Sequence, residues 1–304
     1  EELAAGVRLA CQTTVSAPVT VTVPDASRSL VQKILSQAVV RDCALMSGVS
    51  KHYCEVTPPS LEDEQAEFER LEQYLRAQNV EIRGVGLDVL RRLSRVMKGS
   101  DYRVTAVVAD DDLIAVEQGD TSGECYGVAF DLGSTTIVGY LTDLLTGEPL
   151  GVTAVMNPQM MYGDDLISRI SFATTSEDGA ALLQQAAVEA INRVMESVCG
   201  TAGIDADHIY RVTVVGNTCM THLLLGIGVG SLGQSPYVPT VCRDVQVSAS
   251  NRGLSAAPEA RVVVLPNVAG FVGSDLVGVL LATDWGADGR PRLAVDIGTN
   301  GEMA

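Results

Sequence analysis

The chain is poor in positive charge: 21 Lys and Arg stand against 38 Asp and Glu, a formal net charge of -17 over 304 residues. Binding a nucleic-acid backbone needs clustered Lys and Arg, and no Arg-rich stretch here is long. That argues against a nucleic-acid partner and requires any anionic ligand to be held locally, by backbone amides and metal ions. Long apolar runs are lacking too. The longest, around His222 to Gly230, is interrupted by glycines and falls short of a bilayer span. No basic-plus-apolar leader opens the sequence, so no membrane contact is expected and a cytoplasmic location follows by default. CxxC spacing is missing among the seven cysteines. Their odd number speaks against a closed disulfide framework or a self-contained zinc site and leaves reduced thiols. An initiator Met is missing, and the sequence stops at Ala304 straight after a Gly-rich turn; it reads as a piece of a longer protein.

What is present can bury a sizeable core, with 46% hydrophobic residues over a length that suggests about two domains. Residues 1–24 end in the β-rich Val19-Thr-Val-Thr-Val23, which reads as the last strand of a small β domain. Residues 25–59 hold a short amphipathic stretch (Leu30, Ile34, Ala38) and close on Thr57-Pro58-Pro59, a linker. Ser60 with Asp63 suggests a helix start, followed by Leu61, Phe68, Leu71 and Leu75 at helical spacing. A second helix over Leu87 to Met97 sets Leu87, Leu90 and Leu93 against Arg91, Arg92 and Arg95. Two β segments then meet at the acidic turn Asp110-Asp111-Asp112, completing an α+β module over residues 60–123. From residue 124 a β-meander (Val128 to Phe130, Thr136 to Tyr140, Leu150 to Met156) passes into an α/β order. Its clearest helix runs from about Asp178 to Val198, with Leu183, Ala187, Ile191, Val194 and Val198 on one stripe.

Two loops carry the chemistry. In Asp131-Leu-Gly133-Ser134-Thr135-Thr136 a strand runs into a glycine with no Cβ to keep a phosphate oxygen away, beside three hydroxyl residues. Asp131 at the strand end suits a Mg2+ ion, held directly or through its waters. Alone, such a loop is more readily an ordinary tight turn. The arrangement recurs in Asp296-Ile-Gly298-Thr299-Asn300-Gly301-Glu302, and the recurrence favours a pair of phosphate hairpins whose aspartates share one metal. Val214-Val215-Gly216-Asn217-Thr218 leads a strand into a helix N-terminus, where Asn217 or Thr218 would position an attacking water or would simply cap the helix. Asp165 and Arg169, one helical turn apart, read as an i,i+4 pair. His222 reads as a packed core histidine and no histidine is given a role; Cys43, Cys54, Cys125, Cys199, Cys219 and Cys242 read as buried thiols.

The paired loops resemble the phosphate motifs of the acetate and sugar kinase, Hsp70 and actin superfamily. With Asn157-Pro-Gln, Tyr162-Gly-x-Asp-x-x-Ser-Arg-Ile170, Val215-Gly-Asn-Thr, Met220-Thr-His-Leu-Leu-Leu-Gly226 and Leu265-Pro-Asn-Val-Ala-Gly-Phe-Val-Gly273, the wording is similar to that of the reductive activators of corrinoid proteins. The resemblance implies an α/β fold: an RNase H-like (actin-like ATPase) first half with the start of the second over residues 124–304. The small α+β domain and the end of a ferredoxin-like β domain would precede it. Nucleotide would bind through Asp131, Gly133, Ser134, Thr135, Thr136, Gly216, Asp296, Gly298, Thr299, Asn300 and Gly301, with Mg2+ on Asp131 and Asp296. Gly6-Val-Arg-Leu-Ala-Cys11-Gln resembles the closing segment of a plant-type 2Fe-2S ferredoxin domain. Cys11 would be the fourth cluster ligand, and the other three would lie upstream. The implied activity is ATP-dependent return of Co(II) to Co(I) on a corrinoid partner, with an electron from the iron-sulfur domain, itself served by a donor protein or reductant. The implied surface of the α+β domain is a homodimer contact. A small-molecule kinase of the same superfamily, or a nucleotide-binding scaffold without turnover, competes with this reading.

Overall fold

The computed structural model describes residues 17–20, 22, 44–283, 293–297 and 301–303. The chain divides into two compact units, Glu1–Gln37 and Ala38–Ala304. In the first, Val19, Thr20 and Thr22 carry no strand, whereas Cys11 and the stretch through Leu30 and Ile34 lie outside the described residues, as does Ala38 of the second.

The second unit opens with a four-stranded sheet. Its elements are β1 (Val49–Glu55), α1 (Glu67–Ala77), β2 (Gly84–Val85), α2 (Leu87–Gly99), β3 (Arg103–Ala109) and β4 (Asp112–Gln118), with strand order β1-β3-β4-β2. Successive side chains of a strand face opposite sides, and β3 is apolar on both. Val104, Ala106 and Val108 pack with Leu71, Leu75, Leu93 and Met97 of the two helices. Val107 and Ala109 enter the core of the larger sheet that follows. Three expectations change here. Val49–Glu55, assigned to the linker, is a strand paired along its whole length with β3. Its apolar residues are too few to announce a strand, and the pairing partner supplies the rest. Ser60 and Asp63 form an isolated bridge, and α1 starts after Ala66 without a side-chain cap. On α2 the buried stripe is Val89, Leu93 and Met97, while Leu87 and Leu90 face solvent. Both sets fit a 3.6-residue period, and the sheet beneath selects between them.

The larger sheet contains β5 (Tyr126–Leu132), β6 (Thr136–Asp143), β7 (Pro149–Met156), β8 (Ile209–Gly216), β9 (Val245–Ser248) and β10 (Arg261–Val264), in the order β7-β6-β5-β8-β10-β9. The meander β5-β6-β7 is antiparallel, β8 and β10 are parallel to β5, and β9 closes the edge antiparallel. This is the strand order of an RNase H-like half. Helices α3 (Leu166–Thr175), α4 (Gly179–Ala202), α5 (Thr218–Leu225), α6 (Ala249–Arg252) and α7 (Ser274–Thr283) occupy the connections. The stripe Leu183, Ala187, Ile191, Val194 and Val198 of α4 is fully buried, as its spacing predicts. A separate hairpin, β11 (Val295–Ile297) with β12 (Gly301–Met303), follows. Among the described residues no helix is long and apolar enough to cross a membrane.

The two sheets meet through polar groups as well as apolar ones. The Lys51 ammonium, fully enclosed, reaches Glu117 at 2.8 Å, the Glu124 carbonyl at 2.8 Å and the Tyr210 hydroxyl at 3.0 Å. Tyr210 in turn donates to Glu117, and burial beside that carboxylate pushes the phenol far up, keeping it a donor. The acidic turn sits on the start of two parallel strands: Arg211 of β8 donates to both Asp110 oxygens at 2.7 and 2.8 Å, and Arg261 of β10 pairs with Asp112. Removing one partner of a buried ion pair leaves the other uncompensated. Lys51→Met should therefore lower unfolding stability by about 3 kcal/mol, and adding Glu117→Leu should restore part of the loss, as read by urea denaturation of the single and double variants.

Candidate functional site

The parallel register of the larger sheet places Asp131 beside Val215 and Leu132 beside Gly216, with Val264 of β10 beside Val214 on the far side of β8. Three strands thus end at one edge, the position where open α/β sheets hold their ligands. Three loops start there: residues 133–135 after β5, Asn217 before α5, and residues 265–273 before α7.

The first loop is anchored by its carbonyls. Asn157 donates from Nδ2 to the Gly133 carbonyl at 2.8 Å and from its backbone N–H to that of Thr135 at 2.8 Å. Arg169 donates from Nη2 to the Ser134 carbonyl at 2.6 Å. In a planar trans peptide the N–H points opposite to the C=O, so the Ser134 and Thr135 N–H groups are turned away from this anchoring pair. Consecutive amides presented on one concave side are the chemistry of an anion nest. Gly133 serves the loop in a different way from the one its sequence suggests. A Cβ there would stand 2.6 Å from the Thr136 carbonyl oxygen, so the glycine is required for closing the turn itself.

Asn157 and Arg169 are in turn held from below. Asn157 Oδ1 caps a short 3-10 turn, Pro158–Met161, by accepting from Gln159 N–H at 3.0 Å, and Gln159 Nε2 donates to the Leu183 carbonyl of α4 at 2.8 Å. Arg169 is fully buried, whereas Asp165 is exposed and caps α3 by accepting from the Ser168 N–H at 2.7 Å. The i,i+4 pair expected from spacing is not made. Asp165 takes the helix-cap geometry open to it, and the longer Arg169 side chain reaches inward to carbonyls. The Ser168 hydroxyl also donates to Asp165 Oδ1, at 2.6 Å, and is the largest influence holding the Asp165 carboxyl below the usual range, followed by the Ser168 N–H.

Beside this loop, Asn217 is the N-cap of α5: its Oδ1 accepts from Cys219 N–H at 3.0 Å. The side chain is 4% exposed, and its Nδ2, also buried, has no hydrogen-bond partner. Buried donors are rarely left unpaired, and an oxygen acceptor at this point, whether a phosphate oxygen or a water, would satisfy it. Thr218 has a different task from its neighbour. Its hydroxyl donates to the Ala269 carbonyl at 2.6 Å, tying α5 to the 265–273 loop. Ser274 adds a second tie, with Oγ between Gly216 N and O at 3.1 Å each. A Cβ on Gly273 would come within 2.4 Å of the Gly216 oxygen, so this turn and loop touch backbone to backbone. Of the second loop, Asp296 lies opposite Glu302 and Ile297 opposite Gly301 in the β11–β12 ladder. Gly298, Thr299 and Asn300 lie outside the described residues.

Residues 126–287 match the sequence family described as the RACo middle region, and residues 38–123 match the RACo linker region. The chain belongs to the RACo family. It is 33% identical over 219 residues to the corrinoid activation enzyme RamQ of Eubacterium limosum, covering 71% of this chain and 36% of that protein. It is 29% identical over 189 residues to the [Co(II) methylated amine-specific corrinoid protein] reductase of Methanosarcina barkeri, covering 59% of this chain and 34% of that one. A solved reductive activator for corrinoid, iron-sulfur protein superimposes with a TM-score of 0.77 at 31% identity, over 88% of this chain and 43% of its own. The chain thus spans about a third of the length of these two curated relatives.

The RACo middle region also carries His222, which is fully buried as a core histidine should be. Nδ1 faces the Thr218 carbonyl at 2.8 Å and Nε2 accepts from Thr240 N–H at 3.2 Å, an arrangement that needs the neutral ring. Of the cysteines read as buried, Cys54, Cys125, Cys199 and Cys219 are, Cys242 is exposed, and Cys43 lies outside the described residues. Burial pushes the Cys219 thiol up to about 12. Burial also lowers the His222 pKa below the ordinary 6.5. The unfolded chain then binds a proton that the folded one refuses, so stability is full above pH 6.5 or so and falls as pH drops below it. His52, lowered by burial as well, adds to the same window. Urea denaturation at pH 7.5 and 5.5, or thereabouts, should show wild type losing stability on acidification and His222→Gln losing less.

Proposed function

We propose that the full-length protein is an ATP-dependent reductive activator of a corrinoid protein, and that this chain carries the first half of its nucleotide site. The observation that carries the reading is the carbonyl-anchored loop of residues 133–136 lying beside the unpartnered Asn217 Nδ2, both at the carboxyl edge of three parallel strands. The names of the relatives support the reaction class: corrinoid activation for one, reduction of a Co(II) corrinoid protein for another.

The donors present fit a phosphate group. On a chain of net charge -17, an anion has to be drawn by local amides, and the nest supplies them without a lysine. Ser134, Thr135 and Thr136 would add hydroxyls, and Gly216 the close backbone approach. Asn217 Nδ2 would hold a phosphate oxygen or orient a water. Asp131, on the exposed end of β5, would hold Mg2+ together with Asp296, while Gly298, Thr299, Asn300 and Gly301 would form the facing hairpin. ATP with Mg2+ supplies the free energy for reaching Co(I), a state of very low potential. The one electron would come from a 2Fe-2S domain that includes Cys11, charged by a donor protein or reductant. Water would accept the phosphoryl group, so no small-molecule hydroxyl is needed. Closure of the two ATPase halves would then change the grip on the corrinoid partner, a shift of populations biased by nucleotide. Residues 60–123 would supply a homodimer surface.

In the full-length protein, Asp131→Ala should abolish Mg-ATP hydrolysis, a fall of about a hundredfold or more, with an unchanged melting temperature. Unchanged turnover would reject the metal assignment. Added to a Co(II) corrinoid protein with reductant, the wild type should produce the Co(I) absorption spectrum only when ATP is present. Hydrolysis without that spectral change would point instead to a kinase of the same superfamily.

A further inference from the structure

Two connections beside α5 expose apolar side chains on an otherwise acidic chain. Tyr237 and Val238, between α5 and β9, and Val268 and Phe271, between β10 and α7, are from 38% to 56% exposed. The connections touch each other: the Tyr237 and Phe271 rings meet edge to face at 5.6 Å, and a Cβ on Gly270 would stand 2.0 Å from the Tyr237 carbonyl oxygen. Residues 226–242 and 262–274 contain no Asp, Glu, Lys or Arg, although 19% of the chain is charged. Tyr237 also has a backbone φ of 61°, a left-handed conformation that Gly or Asn adopts at less cost than a bulky residue. Core packing does not account for a ring that is half in water on so unfavourable a backbone. Exposed apolar groups gathered in one place mark a contact surface, and aromatic side chains without charge are the composition of the centre of one.

This surface is fixed to the helix that Asn217 caps. Thr218 of α5 donates from its hydroxyl to the Ala269 carbonyl at 2.6 Å, and His222 of α5 accepts from the Thr240 N–H at 3.2 Å. The Asn267 N–H donates to the Cys242 carbonyl at 2.7 Å, joining the two connections to each other. Its chemistry fits the corrinoid partner proposed above. A corrin ring is fringed by methyl groups and neutral carboxamides, which apolar and uncharged polar groups complement and a charged surface does not. A basic partner would be drawn instead to the acidic remainder of the chain, and a second copy would bring its own net charge of -17 against it. We infer that Tyr237, Val238, Val268 and Phe271 form the docking surface for the corrinoid-bearing face of the partner protein. The inference rests on the activator reading and adds to it the place where the partner is held.

Calorimetry of the full-length protein with the Co(II) form of the corrinoid protein it activates, in the presence of Mg-ATP, tests the assignment. Tyr237→Asn, which suits the backbone and deletes the ring, should weaken the complex by about thirtyfold, and Val238→Glu should weaken it at least as much. Tyr237→Phe keeps the ring and should stay within about threefold of wild type. ATP hydrolysis without the corrinoid protein should be the same in all three. Wild-type affinity in both Tyr237→Asn and Val238→Glu would overturn the inference. So would a lowered melting temperature, or altered self-association in the ultracentrifuge, with corrinoid affinity intact, since another part of the protein or a second copy would then cover the surface. If the variants do not fold, hydrogen exchange of the wild type decides. The Val238 and Phe271 amides should gain protection when the corrinoid protein is added. A wild type that generates Co(I) while those amides stay unchanged would overturn the inference alone, whereas one that generates no Co(I) would sink the activator reading beneath it.

Discussion

Because β5 and β8 run parallel and in register, the turn after Leu132 and the turn after Gly216 open side by side, with Gly216 pressed so close that a Cβ would sit 2.7 Å from the Leu132 oxygen. Every other feature of the site follows from this pairing. The antiparallel return of β6 makes the first turn a hairpin, the crossover through α3 and α4 brings Arg169 and Leu183 beneath it, and the parallel addition of β10 brings the 265–273 loop against α5. Parallel strands need long crossovers, and here the crossover between β7 and β8 carries the residues that anchor the loop.

The polar groups of the interior divide into two systems with different physics. At the junction of the two sheets, Lys51, Glu117 and Tyr210, with the Arg211–Asp110 and Arg261–Asp112 pairs, join opposite charges. Charge there is balanced, which suits a docking contact. Behind the loop of residues 133–135, Asn157, Gln159 and Arg169 satisfy carbonyls while leaving a positive charge unbalanced. The acidic turn docks on the starts of β8 and β10, whose opposite ends reach the site. Rigid strands therefore link the smaller sheet to the loops at the carboxyl edge of the larger one.

Much of the fold is readable without coordinates, element by element. The stripe of α4, the meander at Asp131 and the helix Thr218–Leu225 fall where periodicity and turn residues put them. Three failures share a cause. β1 lacks an apolar pattern of its own, the Ser60–Asp63 signature has no helix to cap, and α2 offers two stripes of equal merit. In each case the deciding energy comes from a surface distant in sequence. At the site, Asp131, Gly133, Gly216 and Asn217 could be singled out from local wording, because turn and cap chemistry is local. Arg169 could not, since its spacing from Asp165 offered a nearer partner. Only the Asp-x-x-Ser cap at the start of α3 hinted that Asp165 was already engaged.

Local composition and spacing therefore determined that this chain builds an α/β sheet and turns back at the Asp-x-Gly loop after β5. Those properties depend on residues within a few positions of one another. Tertiary structure decided which groups hold the first loop, where the Arg169 charge resides and which donor is left unsatisfied at Asn217. A buried polar group acquires its partners and its dielectric surroundings only when segments far apart in the chain are packed together.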